Sequence, residues 1–311
     1  MVLDEVQRRP EIFSDMRVLV DRHPSTRYLV LGSASPELLR QSSESLAGRI
    51  SFHELTGFTA DEVSPKDLDT LWVRGGFPRS FLARGDAASL VWREAFIRTF
   101  VERDVPQLGF GVASDALRRY WTMLAHSSGQ VLSWSGLGRA LGVSDKTVRS
   151  YTELLARTYM VRLLQPWHEN LSKRQVKAPK VYLRDSGLLH ALLGIDTRDT
   201  LAGHPSRGAS WEGVALESVV RQLGADERRC YFWATHQGAE LDLLVTHGKH
   251  KLGFEFKASS APSVTKSMHV AFADLKLSSL DVIYPGDETY PLGPGIRAVG
   301  FRRLARDLRP L

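Results

Sequence analysis

The chain has 311 residues, with 41 lysines and arginines against 35 aspartates and glutamates, and 43% of its residues are hydrophobic. Its mean hydropathy is -0.19. This is the composition of a folded protein of two or three domains, and it excludes a disordered chain, a fibrous repeat and a small cross-linked scaffold. The formal charge of +6 leans toward a polyanionic partner. The single cysteine, Cys230, cannot close an intramolecular disulfide or build a multi-cysteine metal centre. There is no apolar run of about 18 residues, and Met1 to Arg9 has no signal-peptide pattern. The reading is a cytoplasmic protein without a membrane partner.

Residues 1 to about 60 alternate strand and helix signals. An apolar run ends in acids at Met1–Glu5, a helix is predicted around Ile12–Val20, and a second strand over Tyr28–Gly32 ends in Ser33. This is α/β texture. From Asp61 to about Gln165 the pattern is helical, with long candidates at Val91–Val101 and Ala116–His126. Two breaks, Arg74-Gly-Gly-Phe-Pro78 and Val105-Pro-Gln-Leu-Gly109, interrupt it. The first of these reads as the turn that fixes how the helical part leaves the first domain. After a linker over Pro166–Pro179, strands are predicted around Lys180–Leu183, Tyr231–Ala234, Glu240–Val245, Leu252–Lys257 and Val282–Tyr284. That makes the C-terminal part α/β or α+β. The expected domains are therefore 1–60, 61–170 and 171–311.

Trp134–Leu141, Gly142-Val-Ser144 and Asp145–Arg157 read as helix, glycine turn, helix, with Ser144 as the cap of the second. Val148, Tyr151, Leu154 and Leu155 would line its buried face. Lys146, Thr147, Arg149 and Ser150 would then occupy the face that a recognition helix presents to duplex DNA. Thr158–Leu164 can supply the strand of a winged variant. Between Arg139 and Asp185 there are ten basic and four acidic residues, an excess equal to the whole net charge. The alternative is a packing module whose charges are a solvated face.

Two carboxylates follow the first predicted strand, Asp4 and Glu5. A nucleotide-hydrolysing sheet holds a magnesium-ordering acid and a water-polarising acid at such a strand end, although the pair also reads as a helix cap or a solvated turn. Further along, Glu240–Val245 and Leu252–Lys257 flank His247-Gly-Lys249 and read as a β-hairpin. Pairing about Gly248 puts Asp242 nearly opposite Phe254 or Glu255, and like charges that close require a compensating cation. Lys257 lies on the face of Glu255, and Mg²⁺ held by Asp242 and Glu255 would also remove the repulsion. A structural ion pair is the alternative reading of the Glu-x-Lys element. The histidines lack metal-ligand spacing, and Cys230 reads as a buried, inert thiol.

Leu3–Pro10, Leu31–Ser35, Ser45–Arg49, Arg74–Pro78, Glu102–Asp104, Val181–Gly187, Gly238–Asp242 and Phe254–Lys257 occur in that order. The combination resembles a prokaryotic branch of the AAA+ ATPases that carries a C-terminal domain of unknown function. The resemblance implies a partial AAA+ core, a helical and winged-helix middle, and a restriction-endonuclease-like C-terminal domain. It makes Asp4 and Glu5 the Walker B acids, Ser33 the sensor position and Arg49 a phosphate-facing arginine. ATP is the implied cofactor, with duplex DNA and further copies of the chain as implied partners. The phosphate loop G-x-x-x-x-G-K-[ST] of such proteins does not occur in this sequence. Met1 also falls inside the expected Walker B strand, so the chain reads as truncated, with an incomplete ATP site.

The Asp242, Glu255 and Lys257 spacing resembles the PD-(D/E)XK nuclease fold, in which two acids and a lysine bind Mg²⁺ and position a water. An upstream helical acid completes such a site. Glu212 and Glu217 are the candidates, and the Gly-Ala-Ser-Trp approach favours Glu212. Three functions follow from these readings: an ATP-binding regulatory protein associated with DNA, a winged-helix DNA-binding module without catalysis, or a Mg-dependent nuclease.

Overall fold

The computed structural model describes residues 1–6, 9, 11–32, 46–168 and 177–311. The chain divides into two compact units, 1–55 with 149–161 and 56–148 with 162–311. In the first, strands β1 (Val2–Leu3) and β2 (Leu29–Val30) pair in parallel, with Val2 opposite Leu29. Helix α1 (Ile12–Arg22) connects them, as a parallel pair requires a crossover rather than a hairpin. Phe13 and Met16 lie one turn apart on the inner face of α1 and are buried with Val6 and Leu46. The expected strand, helix and strand of this region are all present.

The second unit begins with helices. These are α2 (Leu68–Arg74), α3 (Asp86–Thr99), α4 (Ser114–His126) and α5 (Trp134–Leu141), followed by α6 (Asp145–Arg157), within which the division between the units falls. Phe100–Asp104, which contains Glu102-Arg-Asp104, leaves α3 as a π-helical turn. A short strand β3 (Gln130–Val131) separates α4 from α5. Gly142 ends α5 in the left-handed conformation, and the Ser144 hydroxyl accepts the Thr147 N–H at 3.2 Å, so the expected glycine turn and cap are both formed.

The Arg74–Pro78 segment corrects its sequence reading. It packs against the start of a later helix, α7 (Ser186–Leu193), rather than marking an exit from the first domain. Asp185 caps α7 by accepting the Leu188 N–H, and it also accepts the Gly76 N–H, each at 2.8 Å. Gly75 has φ +77°, and a Cβ there would lie 2.2 Å from the Asp185 carboxylate. Gly75→Ala should therefore lower stability by at least roughly 1–3 kcal/mol from backbone strain alone. An unchanged urea midpoint would contradict this docking.

The remaining elements build one large sheet. Its strands, besides β3, are β4 (Val161–Pro166), β5 (Lys180–Leu183), β6 (Cys230–Ala234), β7 (Glu240–His247), β8 (His250–Phe256), β9 (Ser279–Tyr284), β10 (Thr289–Gly293) and β11 (Ile296–Gly300). The order across the sheet is β10-β11-β9-β8-β7-β6-β4-β5-β3. Helix α8 (Arg207–Leu223) precedes β6, and α9 (Lys266–Leu275) connects β8 to β9. β6, β7 and β8 are antiparallel neighbours, and β8 and β9 are parallel. Trp211, Leu216 and Val219 of α8 are buried with Phe232, Leu243 and Phe254. Met268, Ala271 and Leu275 of α9 are buried with Trp233, Leu241 and Leu280. The two helices thus cover opposite faces of a mixed sheet.

The strand expected to end the helix-turn-helix forms as β4. β4 lies between β5 and β6, and its Gln165 pairs in parallel with Tyr231. It therefore joins the C-terminal sheet as well as its own neighbour.

Candidate functional site

The expected hairpin forms, with His247 opposite His250 and Leu243 opposite Phe254. That register sets Asp242 across from Glu255, the second of the two alternatives read from sequence. On its other side β7 is bulged. Trp233 pairs with Leu241 and Tyr231 with Leu244, so Asp242 and Leu243 together face Phe232. A bulge re-aims a side chain that regular alternation would direct elsewhere. Leu241 and Leu243, two apart, consequently enter different cores, and Asp242 lies at the changeover.

Asp242 and Glu255 are both buried, at 5% and 3% exposure. Asp242 Oδ2 accepts the Phe256 N–H at 3.0 Å, and Lys257 Nζ lies 2.9 Å from Glu255 Oε2. Glu255 Oε1 is buried without a hydrogen-bond partner. Glu212 completes the group from α8, where Tyr182 on β5 donates its hydroxyl to Glu212 Oε1 at 2.5 Å. Glu217 is excluded by helix geometry. Five residues further at about 100° each, it leaves α8 on a different side. There it is ion-paired with Arg162, with Arg184 at 3.5 Å and with Arg221 at 3.6 Å.

Three site residues, Lys180, Tyr182 and Glu240, have no counterpart in the sequence reading. Lys180 of β5 is buried, and its Nζ lies 3.7 Å from Asp242, 3.9 Å from Glu212 and 3.9 Å from Glu240. The signal was a lysine opening the otherwise apolar strand Lys180-Val-Tyr-Leu183, since a buried lysine requires a partner. Among the described residues, no three histidine, cysteine or carboxylate side chains stand as a ready metal-ligand set.

Burial and then the neighbouring Asp242 charge push both Glu212 and Glu255 well above the ordinary carboxylate range. Burial opposes the charged form of Lys180, but Asp242, Glu212 and Glu240 together hold its ammonium above its usual value. A carboxyl whose folded pKa is raised binds its proton more tightly when folded, so its contribution to stability falls as pH rises between the two values. For Glu255 the window runs from 4.5 to about 8. Glu255→Gln should therefore unfold at a higher temperature than the parent at pH 8, with the gap closing toward pH 4.5. A constant gap across that range would rule out Glu255 as its source.

Asp4 and Glu5 are exposed at the end of β1, and the Glu5 N–H donates to the Asp4 carboxylate at 2.8 Å. Arg49 forms a bidentate pair with Asp21 of α1, at 2.7 and 3.0 Å. Ser33 lies outside the described residues. Lys146, Arg149 and Ser150 are exposed on the first turns of α6, and Thr147 is half-buried. Val148, Leu154 and Leu155 are buried as expected, while Tyr151 is half-buried. The basic excess of this stretch is partly internal, because Arg162, Lys180 and Arg184 are neutralised by acids further along the chain. Cys230 is buried, and that burial pushes its thiol up to about 12, which suits a packing role. No helix among the described residues is long and apolar enough to cross a membrane.

Three families match successive parts of the chain. Residues 1–64 match an AAA domain, residues 65–199 a domain of unknown function (DUF8612), and residues 207–304 a second domain of unknown function (DUF4143). These matches define an AAA-like protein with two further domains whose roles are open. The chain belongs to the same family as the uncharacterized protein Rv2008c of Mycobacterium tuberculosis. It is 47% identical to that protein over 300 residues, which cover 96% of this chain and 68% of the relative. The uncharacterized protein Mb2031c of Mycobacterium bovis matches to the same extent. The crystal structure of protein VC1899 from Vibrio cholerae aligns with 96% of this chain and 78% of its own at 11% identity. Its TM-score of 0.23 is too low to carry an argument.

Proposed function

We propose that this AAA-like protein acts on nucleic acid, with a divalent-cation-dependent phosphodiester site of the PD-(D/E)XK type in its C-terminal domain. The observation that carries this reading is the convergence of Asp242, Glu255 and Lys257 from the bulged hairpin with Glu212 from α8. The order α8, β6, β7, β8, α9, β9, with three antiparallel strands and a parallel fourth, supports the same class. The donor set fits Mg²⁺ or Mn²⁺. It consists of hard oxygen ligands, one of them the buried and unpartnered Glu255 Oε1. Asp242 and Glu255 would hold the ion and Glu212 would bound the site from the helix side. Lys257, half-exposed beside Glu255, would lie against the charge that develops on the scissile phosphate. The cation, when bound, supplies Lewis acidity and an activated water. Metal-dependent cleavage of duplex DNA, lost on changing Asp242, is the test.

Duplex DNA as the substrate is supported by the run α4, β3, α5, α6, β4, β5, in which β5 lies between β3 and β4. That order is the one a winged helix uses, and α6 would be its recognition helix, with Lys146, Thr147, Arg149 and Ser150 toward the DNA. Lys146→Ala with Arg149→Ala should weaken duplex retention and reduce the slope of log affinity against log salt by roughly 2. An unchanged slope would remove α6 from the DNA contact. The matched AAA domain supports ATP as the nucleotide of the first unit, where Asp4 and Glu5 would be its acids with Mg²⁺ as the accompanying ion, in a site that lacks the phosphate loop in this sequence.

A further inference from the structure

We infer that Lys180 is a resident cation of the acidic site, standing where a divalent ion would stand, so that metal entry requires its ammonium to withdraw. This rests on the reading of the Asp242 and Glu255 cluster as a cation site. The Asp242, Glu255 and Lys257 spacing accounts for Lys257, which makes a direct contact with Glu255 at 2.9 Å. It does not account for a second lysine. Lys180 comes from β5, separated from β7 by two intervening strands, and its Nζ is nearly equidistant from three carboxylates on two other elements, Asp242 and Glu240 of β7 and Glu212 of α8, at 3.7, 3.9 and 3.9 Å. Each separation exceeds a direct hydrogen bond. An ammonium poised among three carboxylates is placed as the centre of a coordination group rather than as the partner of any one of them.

Charge points the same way. Glu212, Glu240, Asp242 and Glu255 face two ammoniums, Lys180 and Lys257. When all are ionised the group is two charges short of neutrality; with Glu212 and Glu255 held toward their protonated forms by burial it is balanced, so a divalent cation would displace protons as well as an ammonium. The Glu255 Oε1 atom, buried and without a partner, is an acceptor left over by the lysines. Below the ammonium, the Phe232 ring lies 5.6 Å away, opposite the bulge that carries Asp242. The flexible four-carbon stem of lysine permits withdrawal by rotamer change, without moving the strand.

The test is calorimetric titration of the intact chain with Mn²⁺ alone, for the parent, Lys180→Met, and Lys180→Met combined with Asp242→Asn. Removing one competing charge at this range should tighten Mn²⁺ binding by about tenfold or more. Adding Asp242→Asn should abolish it. Equal or weaker binding by Lys180→Met would overturn Lys180 as the occupant while leaving the cation site standing. Absence of Mn²⁺ binding in both the parent and Lys180→Met would overturn the cation site and this inference together. If Lys180→Met is unfolded in chelator, Lys180→Gln and thermal unfolding decide. Folding restored by Mn²⁺ supports the proposal, and failure of both variants to fold with or without Mn²⁺ overturns it.

Discussion

Glu217→Ala should destabilise the larger unit by roughly 3–5 kcal/mol, the loss expected when one partner of a buried ion pair is removed and the other charge stays behind. Here three charges stay behind. Glu217 is 3% exposed and accepts Arg162 Nη2 at 3.1 Å, with Arg184 and Arg221 beside it. Glu227 would be the remaining acid on Arg162, at 3.1 Å, and it is largely exposed. The cluster joins β4 to α8, so its disruption should be felt through the core that contains Trp211. The sign of the pH dependence follows from the folded carboxyl. Burial works to raise its pKa, but Arg162 and Arg184 outweigh burial and hold it at about 2. A depressed carboxyl contributes fully above its unfolded value and loses that contribution as pH falls through its folded value. The difference between parent and variant should thus be constant at neutral pH and shrink between 4.5 and about 2. Tryptophan fluorescence during urea unfolding would measure it, and a deficit below about 1 kcal/mol would show that the arginines find other partners.

Asp242→Asn should reduce Mn²⁺- or Mg²⁺-dependent cleavage of duplex DNA at least about 100-fold, because loss of a ligand exceeds the 10- to 100-fold effect of losing a ligand's support. The fold should survive the change. An asparagine carbonyl can still accept the Phe256 N–H that Asp242 accepts at 3.0 Å, and removing a negative charge beside Glu255 relieves the repulsion there. Cleavage that persists unchanged would mean that the activity comes from another protein in the preparation. Cleavage absent from parent and variant alike would leave the acidic cluster without the proposed chemistry.

Part of this site was legible in the chain before folding. The apolar alternation of Glu240–Val245 and Leu252–Lys257 about Gly248 specified a hairpin, and the hairpin formed with a two-residue turn between His247 and His250. The spacing of Glu255 and Lys257 specified a shared face, and the two make direct contact. Separating Glu212 from Glu217 required only the 3.6-residue helical period and the acids and arginines around α8. What alternation misstates is Asp242. A bulge shifts the register against β6 there, and period-two reasoning assumes an unbroken ladder.

The first unit shows the same division. The parallel β1 and β2 pair and the helix between them follow the local apolar pattern. Arg49 was read as phosphate-facing, and the fold places it on Asp21, 28 residues earlier. In the second unit the Arg74–Pro78 glycines announced a turn but not its partner, because Asp185 is 109 residues beyond Gly76. β10 is a further strand without a prediction, since Pro291 and Gly293 dilute a strand signal that pairing at the sheet edge tolerates.

The local elements were readable in the chain: the helix periods, the capped glycine turn before α6, the hairpin and the acid and lysine spacing on it. Those properties depend on residues a few positions apart, and backbone geometry alone relates them. Long-range packing places β4 and β5 in the sheet beside β6, which carries Lys180 and Tyr182 to carboxylates 30 to 62 residues away in the chain. That choice is made by burial of apolar surface shared among distant segments. No periodicity within any one of them records which charges will be enclosed together.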